Sequence, residues 1–268
     1  ASFDGSSGNL VTYPQQALSP DESMLAVGTC ESTGEQTVRV FDAQTGAELN
    51  RKIVRNSGEA KDDHNSCAAA WFPDGRLISA AASHNLANDV QVGVLTLGSG
   101  WVNTTLTFAA NTTYPNLFIT SDSRVWLFVR VGNLDWVYRI RETDGTWGAS
   151  VTYASSGSQL YTMQRYDSAT NRFYGVIRPN SADASFGTVK LWSMDAATGT
   201  FRDASGTLTV PFSFDDVDTM ATPDPGFRYG VQDMSDDGTV LLLSMTEDAD
   251  PDNIQLMIWR IVWTDGDP

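Results

Sequence analysis

The stretch Asp62 to Asn85 reads DDHNSCAAAWFPDGRLISAAASHN, and its pattern decides how this part of the chain folds. Cys67 to Phe72 is a small, apolar run, Pro73-Asp74-Gly75 is a tight-turn sequence, and Leu77 to Ala82 is a second apolar run. Proline presets a turn dihedral and glycine accepts the positive φ that tight turns demand, so the expectation is strand, turn, strand: a β-hairpin. A hairpin folds its far ends back together. His64 lies nine residues before Pro73 and His84 nine after Gly75, so both imidazoles are expected near one edge of one sheet. The chain has no other histidine, and each is followed by an asparagine, Asn65 and Asn85. Two copies of a scarce titratable residue in mirrored positions mark the open end of this hairpin as the candidate active site.

Outward from this hairpin one pattern recurs: a strand, a turn holding aspartate, a strongly apolar strand, then a third strand closing on a polar turn. It runs through Leu18 to Leu49, the hairpin with Val90 to Trp101, Tyr114 to Gly148, Leu160 to Phe201 and Tyr229 to Asp267. Five units of roughly fifty residues have the size of propeller blades of three or four antiparallel strands. The turns DAQTG, ETDGTW and DAATG fall in equivalent places within them. Thr143 to Trp147 is a shortened form of the Asp-box turn of sialidase-like propellers. The expected fold is therefore all-β, a β-propeller forming a single domain over residues 1–268. Its blades are expected near 10–50, 60–102, 112–150, 158–203 and 226–267. A β-sandwich is the alternative, but it leaves the period unexplained.

Composition narrows the function classes. The 268 residues carry 33 acidic and 17 basic side chains, 14 of the latter arginine, for a net charge of −16. Such a chain is not expected to bind nucleic acid or anionic membranes non-specifically, and any polyanion must be met by a local cationic cluster. No apolar run approaches the ~20 residues of a membrane span. No signal peptide is visible, Ala1 reads as the first residue of a mature chain, and a secreted or periplasmic monomer is expected. Cys30 and Cys67 are open between one disulfide and two buried thiols. Asn103-Thr104-Thr105 and Asn111-Thr112-Thr113 fit the glycosylation pattern.

The hairpin resembles the His-Asn…Asp-Gly-Arg…His-Asn hairpin of BNR-repeat-like propellers, the group that includes ulvan lyases of polysaccharide lyase families 24 and 25. TYPNLFITSDSRVWLFVR, Thr113 to Arg130, resembles that group's Thr-Tyr-Pro-Asn strand followed by an aromatic strand ending in arginine. The resemblance covers Asp62 to Trp147. It departs from the family in blade number, five recognisable here against seven there.

The resemblance implies a lyase that cleaves an anionic, uronate-containing polysaccharide by β-elimination, with His64, His84, Tyr114 and Arg130 as the catalytic group. Arg130 would bind the carboxylate through a bidentate pair and stabilise the developing enolate. Tyr114 or His64 would take the proton, and the other, or the same tyrosine, would return it. A phenol with an ordinary pKa of ~10 serves as base only beside cationic groups. His84 would hold the carboxylate or orient Tyr114. Asn65, Asn85, Arg165 and Trp126 are the expected substrate contacts. No cofactor is required for this chemistry. Asp248, Asp250 and Asp252 alternate like the start of a calcium loop, though a surface loop is the simpler reading, and structural calcium or zinc stays open. Two rival functions share the fold: a glycoside hydrolase, which needs two opposed carboxylates, and a non-catalytic carbohydrate-binding propeller.

Overall fold

Nineteen β-strands account for the regular structure in a computed structural model that describes residues 16–30, 36–55, 67–82, 88–132, 135–155, 161–178, 188–209, 227–235, 237–247 and 250–260. The first sheet holds β1 (Gln16–Leu18), β2 (Met24–Cys30), β3 (Gln36–Asp42) and β4 (Glu48–Arg55). The second holds β5 (Cys67–Trp71), β6 (Leu77–Ala82), β7 (Asp89–Thr96) and β8 (Gly100–Thr107). The third holds β9 (Thr112–Ile119), β10 (Val125–Val131), β11 (Asp135–Arg141) and β12 (Val151–Ser155). The fourth holds β13 (Tyr161–Asp167), β14 (Arg172–Arg178), β15 (Thr188–Asp195) and β16 (Phe201–Thr209). The fifth holds β17 (Phe227–Met234), β18 (Val240–Glu247) and β19 (Asp250–Arg260). Every sheet is antiparallel with its strands in chain order.

The chain divides into two compact units, residues 1–155 and 156–268. In the first unit the second sheet is buried on both faces. Ala68, Ile78, Ala80 and Ala82 pack with Leu117, Val125, Leu127 and Val129 of the third sheet. Their neighbours in sequence, Cys67, Ala69, Trp71, Leu77 and Ala81, pack with Ala26, Val38 and Val40 of the first. A strand with two buried faces reads as a continuous apolar run, which is why CAAAW and LISAAA show no alternation. Small side chains let the sheets approach closely. A Cβ on Gly28 would lie 2.5 Å from the Cys67 carbonyl oxygen and 2.7 Å from its Cβ. Cys67 is buried, whereas the side chain of Cys30 lies outside the described residues.

The connections of first strand to second and of third to fourth lie at one end of each sheet in this unit. We call it the turn end; the connections of second strand to third leave from the other, open end. Aspartate organises the turns, its carboxylate standing in for a backbone acceptor. Asp42 accepts from the Thr45 N–H at 2.7 Å and Asp144 from the Thr146 N–H at 2.8 Å. The Trp71 indole donates to the Ala17 carbonyl at 2.8 Å, bringing the turn ends of the first two sheets level. On the outer strands, Lys52 of β4 reaches over the Trp101 ring of β8, 4.6 Å from its centroid, and donates to Asn103.

In the second unit, Phe173, Tyr174, Trp192 and Met194 are buried. A Cβ on Gly238, whose φ of +68° already favours glycine, would meet the Tyr174 ring at 2.6 Å. That turn of the fifth sheet therefore seats directly on the fourth.

Candidate functional site

The hairpin forms as its sequence demands. The Phe72 N–H donates to the Arg76 carbonyl at 2.8 Å, and Gly75 takes a φ of +83°. Cys67, three residues after His64, pairs with Ala81, three residues before His84. His64, Asn65, His84 and Asn85 themselves lie outside the described residues. What is described is the pair of strand ends on either side of them, at the open end.

The hairpin does not stand alone there. Both β5 and β6 pack against β9, the edge strand of the third sheet that carries Tyr114. β9 is not regular. Thr113 pairs with Arg130 and Asn116 with Phe128, so Tyr114 and Pro115 together stand opposite the single residue Val129. This is a β-bulge, and a proline is tolerated because an edge strand need not donate every N–H. Tyr114 and Arg130 thus occupy neighbouring positions on adjacent strands, close to the open end. The Tyr114 side chain lies outside the described residues. Arg130 is 5 % exposed and shares the β10 face of Trp126 and Phe128, opposite to Val129 and Val131. Its guanidinium offers planar, forked donors of the geometry that matches a carboxylate.

At the seam between the open ends of the second and third sheets one hydrogen bond from β9 crosses, and others flank it within each sheet. The Thr112 hydroxyl, fully buried at the start of β9, donates to the Asp89 carbonyl at 2.8 Å. Asp89 opens β7, beside Val90, whose partner is Ala82 at the end of β6. Next to it the Asn88 amide donates to the Phe108 carbonyl at 3.1 Å, and the Phe108 N–H returns a bond to the Asn88 carbonyl at 2.6 Å. The Gly132 N–H donates to the Asn111 carbonyl at 2.6 Å. The Asp89 carboxylate takes a 2.7 Å bond from the Gln91 amide.

Acidic groups collect elsewhere. The Ser19 hydroxyl holds the Asp21 carboxyl below its usual range, and Thr45 and Thr146 N–H groups do the same for Asp42 and Asp144. These turn-end carboxylates are ionised and committed to their turns. Among the described residues no three His, Cys, Asp or Glu side chains gather as a metal site.

The expected site residues separate in the structure. Trp126 is corrected: it is 0 % exposed, stacked at 5.9 Å on Phe128 and at 4.7 Å on Tyr138, so it is core and not a substrate platform. Arg165 sits half-buried on β13 in the second unit, paired with Tyr174. Asp248 lies outside the described residues, while Asp250 and Asp252 fall on β19, where a surface loop was expected. Sequence reasoning missed Thr112 and the Tyr114–Pro115 bulge. The only sequence signals were a proline inside a strand and a threonine within Asn111-Thr112-Thr113.

Neither a family model nor a curated protein matches the sequence. Solved structures do. A PL25 ulvan lyase bound to -[GlcA(1-4)Rha3S]- superposes with a TM-score of 0.64 at 15% identity, over 97% of this chain and 72% of that one. The polysaccharide lyase Uly1 gives 0.61 at 14% identity, over 94% and 73%. A thermostable family-43 glycoside hydrolase gives 0.53 at 10% identity, over 97% and 92%. The fold is a β-propeller. At such identities the likeness concerns the propeller fold alone, and chemistry has to be argued from the propeller's own residues.

Proposed function

We propose that the protein is a polysaccharide lyase that cleaves a uronate-containing, ulvan-like polymer outside the cell by β-elimination. One observation carries the reading: β9 and β10 place Tyr114 beside Arg130 at the open end, where the histidine hairpin packs on β9. A base removes the weakly acidic proton next to the sugar carboxylate, and its electron pair becomes the new carbon–carbon double bond. The bond to the 4-linked oxygen breaks, and that oxygen leaves with a proton from an acid. Arg130 pairs with the carboxylate and stabilises the enolate-like charge. Tyr114 and His64 divide the proton transfers, with the phenol activated by the cations beside it. His84 orients Tyr114 or holds the carboxylate, and Asn65 and Asn85 contact sugar groups. No cofactor enters these steps. A net charge of −16 opposes a polyanionic substrate, so binding depends on this local arginine and histidine cluster.

Elimination, unlike hydrolysis, leaves a double bond conjugated to the carboxylate. The protein incubated with ulvan and other uronate polymers is expected to raise ultraviolet absorbance, and His64→Ala and Tyr114→Phe are expected to abolish the rise. New reducing ends without absorbance would make it a hydrolase. Binding with neither signal would make it a carbohydrate-binding propeller.

A further inference from the structure

The two halves of the proposed site belong to different sheets, and one buried side chain ties them together. Tyr114 and Arg130 are set by β9 and β10, whereas His84 follows β6, whose end is paired with the start of β7. Sheet-to-sheet packing, the short β8–β9 link, the open-end seam and Arg139, which donates to the Thr107 carbonyl and covers the Phe108 ring, fix one half against the other. Within the seam, the Thr112 hydroxyl donates at 2.8 Å to the backbone carbonyl of Asp89. Thr112 is 0 % exposed, two residues before Tyr114, and is paired with Val131 next to Arg130. Asp89 is adjacent to the residue that pairs with Ala82.

We infer that Thr112 is a positioning residue, whose hydroxyl sets the register between the strand bearing Tyr114 and the sheet bearing the histidine hairpin. This deepens the lyase reading and rests on it. The physical ground is that packing between small apolar side chains is poorly directional, whereas a buried hydrogen bond is not. Ala68, Ala80 and Ala82 put small side chains at this interface, beside the larger Phe72 and Ile78. The bulge at Tyr114–Pro115 interrupts the β9 ladder just after Thr113, so the tyrosine takes its place within the sheet from the Thr113–Arg130 pair and its place against the second sheet from the neighbouring Thr112 bond. Catalytic geometry is sensitive to such references, since displacements of about 1 Å can cost about a hundredfold in rate.

Thr112→Val keeps the shape and removes the donor; Thr112→Ser keeps the donor and removes a methyl group. On a soluble uronate polymer, Thr112→Val is expected to lower kcat at least tenfold with KM within threefold of the parent. It is also expected to shift the ascending limb of the kcat–pH profile, where the base loses its proton, to higher pH, because the phenol moves away from the cations that activate it. Thr112→Ser is expected to restore kcat to within threefold and return the limb. A Thr112→Val enzyme with the parent's kcat and pH profile would overturn the inference. So would a Thr112→Ser enzyme as impaired as Thr112→Val, since loss of packing would then be the cause. If Thr112→Val does not fold, the serine variant and Thr112→Ala with its pH profile decide between hydroxyl and methyl. Absence of any elimination by the parent protein would refute the lyase reading itself, and the positioning role would fall with it.

Discussion

Replacing Gly28 by alanine tests whether close approach of the first two sheets holds the candidate site in place. A Cβ at Gly28 would stand 2.5 Å from the Cys67 carbonyl oxygen, 2.7 Å from its Cβ and 3.0 Å from its carbonyl carbon. Two of these three atoms are backbone, so no rotamer change relieves the clash. β5 must retreat from β2 by roughly half an ångström or more at its first residue. Overpacking of this kind costs roughly 1–3 kcal/mol. The stiffer unfolded chain of the alanine variant returns roughly 0.4–1 kcal/mol. Mid-range values leave a net loss of about 1.3 kcal/mol, equivalent to a fall in melting temperature of roughly 3–5 °C for a unit of this size. Thermal unfolding followed by circular dichroism reads it. Adding Cys67→Gly removes the Cβ contact but not the carbonyl contact, so the double variant is expected to recover only part of the loss. Because Cys67 lies three residues past His64, catalytic turnover is expected to fall alongside stability. A Gly28→Ala protein that melts at or above the parent temperature would refute this account of the sheet contact.

Trp126→Ala is expected to cost about 3–5 kcal/mol in urea unfolding, while the folded fraction keeps the parent KM; parent stability with lost binding would return Trp126 to the substrate surface. Arg130→Lys keeps the charge and loses the planar fork, so kcat/KM for elimination is expected to fall about 10²–10³-fold with little change in melting temperature. The carboxyls of Asp21, Asp42 and Asp144 are depressed by hydrogen bonds, so they bind protons less readily folded than unfolded. Their contribution is therefore complete at neutral pH and is lost as pH falls from about 4 downward. Urea midpoints measured between about pH 6 and pH 3 are expected to fall less steeply for Asp42→Asn combined with Asp144→Asn than for the parent.

Much of the fold was legible because its determinants are local. Pro73-Asp74-Gly75 specifies its turn without help from the rest of the chain, and the Asp42 and Asp195 turns repeat one hydrogen-bond pattern. The hairpin followed from these, and the nine-residue symmetry then predicted a shared strand end. The role of Trp126 was not legible. An aromatic on a propeller strand reads the same whether it faces substrate or stacks on Phe128 and Tyr138, and only tertiary packing decides. The bulge was hidden because period-two reasoning assigns Tyr114 a face by counting, and one extra residue invalidates the count. Thr112 was missed because its partner is a carbonyl in another sheet, and a carbonyl leaves no mark in the sequence.

The strict chain order of strands within every sheet has a kinetic consequence. Among the described residues each strand's ladder partners are the strands just before and after it, so within a sheet contact order is low for an all-β protein. Closing a loop of a few residues costs little entropy, and hairpins such as β5–β6 can form on the microsecond scale. The slow events should be the dockings of one completed sheet on the next, where Ala68, Ala80 and Ala82 meet Leu127 and Val129. Substitutions inside the tight turns should then act mainly on early steps, whereas those at Gly28 or Thr112 should chiefly accelerate unfolding.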